Sequence, residues 1–123
     1  MTINEAIETA DRRRPNAYGA EVKLRWLSAL DGMIWEELFR PRADGPLPPF
    51  PGYVGASPDT PLLIGPPYDE DVYNYFLQSR IDAENGEMAR YNQSVTLFNS
   101  AFRLYQNWYN RTHAAPAGHD FRF

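Results

Sequence analysis

The chain has 123 residues, of which 43% are hydrophobic and 15% aromatic, so we expect a single domain with its own core. Its net charge of -4 argues against a general role in coating nucleic acid or an anionic membrane. The absence of cysteine excludes disulfides, thiolate zinc sites and cysteine nucleophiles. No segment has the character of a membrane span or a secretory signal, so a soluble intracellular protein is expected.

The N-terminal segment predicts a helix over about residues 3–13. Thr2-Ile3-Asn4-Glu5 has the pattern of a capping box, in which two side chains satisfy unpaired backbone amides. Pro15 sets the end of the helix, because proline lacks an amide proton and restricts the residue before it. Arg12-Arg13-Arg14 is the one basic run, and we favour a role at the negative end of the helix dipole over contact with phosphates.

A second helix is predicted over about residues 20–39, where apolar residues recur every three or four positions. The glycine at 32 is tolerated inside this helix at a cost of about 1 kcal/mol. Trp26 and Trp35 lie nine residues apart, which is half a rotation, so one narrow face cannot bury both. Trp35 is therefore a candidate for contact with a partner.

Residues 41–67 form a proline-rich loop, which holds 9 of the 11 prolines and 4 of the 8 glycines. This composition excludes an ordinary helix or a central strand. Apolar side chains that a solvated linker would not need also occur in it, so we expect the loop to dock. The candidate contact residues are Tyr53, Leu62, Leu63 and Ile64.

A third helix is predicted over about residues 68–112, beginning with three acids that suit the positive end of a helix dipole. An apolar seam with alternating spacings of three and four follows: Met88, Tyr91, Val95, Phe98, Phe102, Tyr105 and Tyr109. Asn85-Gly86 is where two helices would separate. Because the seam stays in phase across it, we favour one long helix, with a possible kink at 85–86.

Uncharged amides form a row beside this seam, with Asn85, Asn92, Asn99 and Gln106 at every seventh position. They suit an interface with a neighbouring protomer or the lining of a polar channel, and an ordinary helix flank remains the alternative. Charge is also polarised, since residues 86–112 carry +2 and residues 68–85 carry -4. That polarity suits matching between subunits, although a solvated surface would look similar.

No arrangement of residues points to catalysis or to a cofactor. His113, His119 and Asp120 lie at or beyond the end of the last helix, where we favour incidental polar residues over a metal site. Capping accounts for the acids at 69–71, and no glycine-rich phosphate loop is present. We therefore expect no enzyme, no cofactor and no metal, and an extended tail over residues 113–123.

Several short motifs resemble a family of small proteins common in tailed phages and prophages. In the first half they are Pro15-Asn16-Ala17-Tyr18, Lys23-Leu24-Arg25-Trp26-Leu27, Leu30-Asp31-Gly32 and Ile34-Trp35-Glu36-Glu37. In the second half they are Pro66-Pro67-Tyr68-Asp69, Val72-Tyr73, Asn85-Gly86-Glu87, Ala89-Arg90-Tyr91-Asn92, Phe98-Asn99 and Asn107-Trp108-Tyr109-Asn110-Arg111-Thr112. The motifs keep the family's order over roughly residues 15–112. The chain departs from the family in its proline-rich segment and its HDFRF end.

This family is that of the head-tail connector, or adaptor, proteins that bind beneath the portal. The resemblance implies an all-helical protomer, located in the virion neck and in the host cytoplasm during assembly. It implies self-assembly as a ring, commonly twelve-fold, which binds the portal and meets a stopper or tail-completion protein. DNA would pass through the channel without sequence-specific binding, and no membrane is involved. On this hypothesis the loop contacts neighbours or the next neck component, and Phe121 and Phe123 of the tail anchor on the portal.

The competing hypothesis is a small DNA-associated or regulatory phage protein. It would use Arg12-Arg13-Arg14 and the positively charged last helix against phosphates. Salt-dependent DNA binding by the isolated protein would favour it.

Overall fold

Four helices make up most of residues 1–113, the part of the chain that the computed structural model describes. Helix α1 spans Ile3–Arg13, α2 spans Ala20–Ile34, α3 spans Asp69–Glu84 and α4 spans Met88–Thr112. Within residues 1–113 the only β-type pairing is an isolated bridge between Thr2 and Pro61, so the expected all-α class is confirmed. None of the helices in this range is long and apolar enough to cross a membrane. The predicted contacts of Phe121 and Phe123 lie outside the described residues.

Helix α1 begins and ends as its sequence predicts. The Thr2 hydroxyl accepts from the Glu5 amide at 3.2 Å, and the Glu5 carboxylate accepts from the Thr2 amide at 2.8 Å. This reciprocal pair is the predicted capping box. The helix ends at Arg13, one residue before the position that Pro15 restricts.

Helix α2 is shorter than predicted. Its α-helical part ends at Ile34, and residues Trp35–Phe39 continue as a π-helical turn, followed by a 3-10 turn at Arg40–Arg42. Pro41 has no amide proton to extend an α-helix here, so the chain leaves the axis at this point. The wider turn buries Leu38 and places the ring of Phe39 in a stack on Tyr109, with 5.0 Å between centroids.

The predicted single helix over residues 68–112 is wrong, because α3 and α4 are separate helices joined by residues 85–87. Gly86 has a φ of +72°, which favours glycine and ends α3. The Gly86 amide donates to the Ala83 carbonyl at 3.1 Å, and the Glu87 amide donates to the Asp82 carbonyl at 3.0 Å. These two bonds form a Schellman motif, and α4 turns back to pack along α3.

Substitution of Gly86 by alanine tests this turn. A Cβ at Gly86 would meet no atom within 4 Å, so the cost comes only from the positive φ. We expect the free energy of unfolding to fall by about 1–2 kcal/mol. Gly45→Ala is the matched control, since a Cβ there is also unobstructed and no positive φ is required. Urea unfolding followed by circular dichroism measures both, and equal stability of the two variants would contradict the assignment.

The proline-rich loop docks on the helices through its carbonyl groups. Proline keeps its acceptor but lacks an N–H donor, so such a segment needs donors from elsewhere. The first turn of α1 supplies two: the Ile3 amide donates to the Thr60 carbonyl and the Asn4 amide to the Pro58 carbonyl, each at 3.0 Å. The loop is therefore held against the chain's own helices, with the open N-terminus of α1 as one of its partners.

Helix α3 lies at the centre of the fold and contacts the other three helices. Val72, Tyr73, Leu77 and Ile81 are fully buried in it. On α4 the predicted seam is confirmed for its middle and C-terminal part, where Tyr105 is buried and Phe98, Phe102 and Tyr109 pack against the core. Met88, at the start of the seam, is 57% exposed. The inner side of α4 thus contributes to the core, and its outer side faces solvent.

Candidate functional site

A buried carboxylate on α2 holds the loop against α3. Asp31 is fully buried and accepts hydrogen bonds from the hydroxyls of Tyr53 and Tyr73, the latter at 2.7 Å. The Leu63 amide donates to the same carboxylate at 3.1 Å, and the Tyr73 hydroxyl accepts from the Ile64 amide at 3.0 Å. Two loop residues, Tyr53 and Leu63, and Tyr73 of α3 therefore converge on a single acidic side chain.

The electrostatics of this network are those of a structural site. Burial raises the pKa of Asp31 above its usual range, although the three hydrogen bonds that it accepts oppose the rise. Burial and the neighbouring carboxylate raise the pKa of both Tyr53 and Tyr73, so both hydroxyls stay protonated and act as donors. Each polar group has a partner inside the protein, and we therefore assign the network to stability and not to chemistry.

Three of the predicted contact residues in the loop belong to the core of the chain itself. Tyr53, Leu62 and Ile64 have exposed fractions of only 4%, 6% and 0%. Side chains buried in this way cannot meet a partner unless the loop opens, so we reassign them from the interaction surface to the core. Leu63 is half-buried and packs against the same core through its neighbours. The exposed apolar side chain of this loop is Val54, at 85%.

Trp35 also has its partners inside the chain. Its indole N–H donates to the Pro48 carbonyl at 2.8 Å, and its ring lies 5.9 Å from that of Phe50. The Arg40 guanidinium donates to the Leu47 carbonyl at 2.6 Å beside it. Trp35 therefore fastens the first half of the loop, and the partner contact predicted for it is not needed to explain its position.

One arginine of the basic run at the end of α1 is bound inside the chain, while Arg12 and Arg13 are exposed. Arg14 donates from Nε to the buried carboxylate of Asp82 at 3.0 Å, and Ser94 of α4 donates to the same carboxylate at 3.0 Å. Asp82 thus links α1, α3 and α4. Lys23, which is also buried, binds Asp11 at 2.8 Å and the Tyr18 carbonyl at 2.9 Å. These ion pairs hold the helices against one another.

The described side chains that were considered for catalysis or metal binding lie apart from one another. Asp69 binds the Met1 ammonium at 2.9 Å, while Glu70, Asp71 and Glu84 are exposed. Among residues 1–113, no group of three or more histidine and carboxylate side chains is arranged to hold a metal ion. His113 stacks on Tyr109 with 3.8 Å between ring centroids. His119 and Asp120 lie outside the described residues.

The amide row lies on the outer surface of α4. Asn92 and Asn99 are exposed and Gln106 is half-buried. Asn85 does not belong to this row, because the turn before α4 separates it from the helix; its side chain accepts from the Tyr18 hydroxyl at 2.6 Å. The three amides on α4 thus lie at the surface in whole or in part, and their contact with a neighbouring molecule stays a prediction.

Two exposed leucines on α4 were not among the predicted contact residues. Leu97 is 40% exposed and Leu104 is 62% exposed, and their spacing of seven residues puts them about two turns apart on one side of the helix. They form an apolar ridge that residues 1–113 leave uncovered. Their exposure has a signal in the sequence, because both leucines lie outside the apolar seam of α4 and so do not face the core.

A shallow cleft opens between α2, α3 and α4. It has a volume of about 320 Å3, and its wall is apolar apart from Arg80, whose guanidinium lies 5.6 Å above the ring of Trp26. Phe76 and Phe98 form the floor with their rings 5.5 Å apart. Trp26 of α2 therefore lies at the wall of this cleft, while it also packs against the core.

No family model, no curated protein and no solved structure matches the chain. In the structure, the residues of the short motifs that carry the resemblance fall into two groups. One group builds the fold, as Asp31 does in the buried network and Gly86 in the turn. The other group is exposed, on α4 as Arg90, Asn92 and Asn99 are, and elsewhere as Ala17 and Glu36 are. The outer face of α4 is the candidate functional surface because it combines such residues with the exposed Leu97 and Leu104.

Proposed function

We propose that the chain is a structural subunit of a phage head-tail connector. In this role it assembles as a ring, twelve-fold in the family that it resembles, binds the portal and extends the DNA channel towards a stopper or tail-completion protein. The resemblance over residues 15–112 supplies the class. The observation that carries the proposal is the uncovered leucine ridge on α4, since a subunit of a ring leaves apolar surface for its neighbours to bury.

The arrangement of the chain suits an assembling subunit. The buried polar network and the loop contacts hold the protomer together, while Leu97 and Leu104 remain on its surface. A ring contact is heterologous, so one surface patch meets a different patch on the next copy. The cleft beside Trp26 offers apolar surface of matching character for such a contact. No catalytic group is required.

Imaging of the protein with the portal from the same genome tests the proposal. Negative-stain class averages of the mixture, compared with the portal alone, should show an additional ring at the narrow end of the portal. Absence of that ring, with both proteins folded, would reject the connector role.

The double variant Leu97→Glu/Leu104→Glu tests the ridge. Two carboxylates in an apolar contact would be buried without partners, so we expect the added ring to be lost, with helical circular dichroism unchanged. Ala17→Glu, at an exposed position outside the helices, is the control and should assemble normally. Normal assembly by the double variant would show that the ridge is not the contact.

A small DNA-associated protein is the second candidate, and one observation favours it. Helix α4 has three arginines and no acidic residue. The Arg12-Arg13-Arg14 run contributes less than the sequence suggests, because Arg14 is bound to Asp82. Measurable salt-dependent DNA binding by the isolated chain, together with failure to form a ring on the portal, would select this function.

A further inference from the structure

We infer that the outer stripe of α4 faces duplex DNA, so that in the proposed connector α4 lines the channel. The outer stripe is defined as Asn92, Thr96, Asn99, Arg103, Asn107 and Asn110. These residues follow one another at spacings of three and four, so they share one face of the helix, and all six are exposed. The inference rests on the proposed function for the channel, but its DNA contact can also be tested on the chain alone.

Charge is the first argument for this occupant. Of the four helices in the described range, α4 alone lacks acidic residues, although the whole chain has sixteen of them against twelve basic residues. A polyanion meets several exposed carboxylates on α1 and α3 and one, Glu21, on α2, where the other acid, Asp31, is fully buried. The outer stripe presents Arg103 among neutral side chains, and Arg111 is also exposed on the same helix.

The chemistry of the stripe is the second argument. Asparagine and arginine side chains donate hydrogen bonds to phosphate oxygens, and such contacts carry no sequence information. The Thr96 hydroxyl is not counted among these donors, because it donates to the Asn92 carbonyl at 2.7 Å. A stripe with a single cation binds weakly at any one position, which suits a surface along which DNA must move. An apolar or acidic face would lack these donors, and a densely basic one would retain the DNA.

The position of the stripe between apolar edges is the third argument. Leu104 follows Arg103 by one residue, which rotates it about 100° from the stripe, and Leu97 lies on the same side. On the opposite edge Met88 is 57% exposed and Val95 is half-buried. If both edges meet neighbouring protein in a ring, the polar stripe between them is the part of α4 that remains open towards the axis.

Cross-linking from single cysteines tests the inference, because the chain has none of its own. Asn99→Cys on the stripe is compared with Asn4→Cys, an exposed asparagine on α1, after both are labelled with a benzophenone maleimide. The labelled proteins are assembled on the portal, mixed with a short DNA duplex and irradiated. We expect several-fold more protein–DNA adduct from Cys at position 99 than at position 4. Equal DNA adduct from the two positions, or protein–protein adduct alone from position 99, overturns the inference.

A measurement on the isolated chain separates this inference from the connector proposal. Arg103→Gln should weaken binding of a labelled duplex at low salt and reduce the slope of log K against log salt by about one unit. Arg25→Gln, at an exposed position on α2, should leave both unchanged. If no ring forms on the portal, the connector proposal fails, and this pair of variants then decides the DNA contact. Equal binding by the two variants in that case overturns the inference as well.

Discussion

Replacement of Asp31 by alanine is expected to lower the free energy of unfolding by about 3–5 kcal/mol. The carboxylate accepts from two buried hydroxyls and one amide, and alanine would leave all three donors without a partner. Each unsatisfied buried donor costs about 1–3 kcal/mol, and partial relaxation keeps the total below the sum. For a domain with a stability of about 5–15 kcal/mol, this change brings the protein close to unfolding at room temperature. Urea unfolding followed by tryptophan fluorescence measures it.

Two further variants keep this prediction testable if the alanine variant does not fold. Asp31→Asn retains one carbonyl acceptor and should cost about 1–3 kcal/mol. Asp44→Ala, at an exposed position, should change stability by less than about 0.5 kcal/mol. If Asp31→Ala unfolds at the same urea concentration as Asp44→Ala, the network does not hold the loop.

The pH dependence of these variants follows from the raised pKa of Asp31. A carboxyl with a higher pKa in the folded state than in the unfolded state stabilises the fold when it is protonated. This contribution is fully present below about pH 4 and is lost as the pH rises through the folded-state pKa. Asp31→Asn cannot titrate, so the stability difference between wild type and this variant should be larger at pH 4 than at pH 7. A difference that grows with pH would contradict the stated direction.

The boundary between α3 and α4 shows how a correct periodic pattern leads to a wrong helix. Leu77, Ile81 and Met88 are in phase for a continuous helix, but the phase is kept across a turn of three residues by coincidence. Gly86 carries the local signal, because a glycine after asparagine favours the positive φ that ends a helix. A seam reports which residues face the core, and it does not report whether the backbone is continuous.

The loop was predictable in its docking but not in its partner. Its prolines and apolar residues exclude both regular structure and full solvation, which the sequence shows. The sequence signal for the partner of the loop is Asp31, since it lies next to the apolar face formed by Leu27, Leu30 and Ile34. A carboxylate that is buried at such a position needs hydrogen-bond donors from elsewhere in the chain. Which donors reach it depends on the path of the loop in three dimensions, and no spacing along the chain specifies that path.

The candidate surface was predicted only in part, for a similar reason. The amide row was found from its repeat of seven, and Asn92 and Asn99 do lie on the surface. Leu97 and Leu104 were overlooked because apolar residues on a helix are first assigned to the core. Their exposure depends on the packing of α4 against α3, which leaves this side of α4 uncovered.

Replacement of Ile64 by alanine is expected to cost about 2–5 kcal/mol. The side chain is fully buried against the core although it belongs to a loop without regular structure. Removal of three buried carbon atoms leaves a cavity that the surrounding helices cannot close, because the Ile64 amide is held by the Tyr73 hydroxyl. Urea unfolding followed by tryptophan fluorescence measures the loss.

Val54→Ala in the same loop is the matched control, because it removes methyl groups from a side chain that is 85% exposed. It should change stability by less than about 0.5 kcal/mol. Assembly on the portal, measured with the same preparations, separates the two roles that the loop was expected to have. If Ile64 is a core residue, its substitution lowers stability and affects assembly only by raising the unfolded fraction. An Ile64→Ala protein with wild-type stability but no ring formation would instead return this part of the loop to the contact surface.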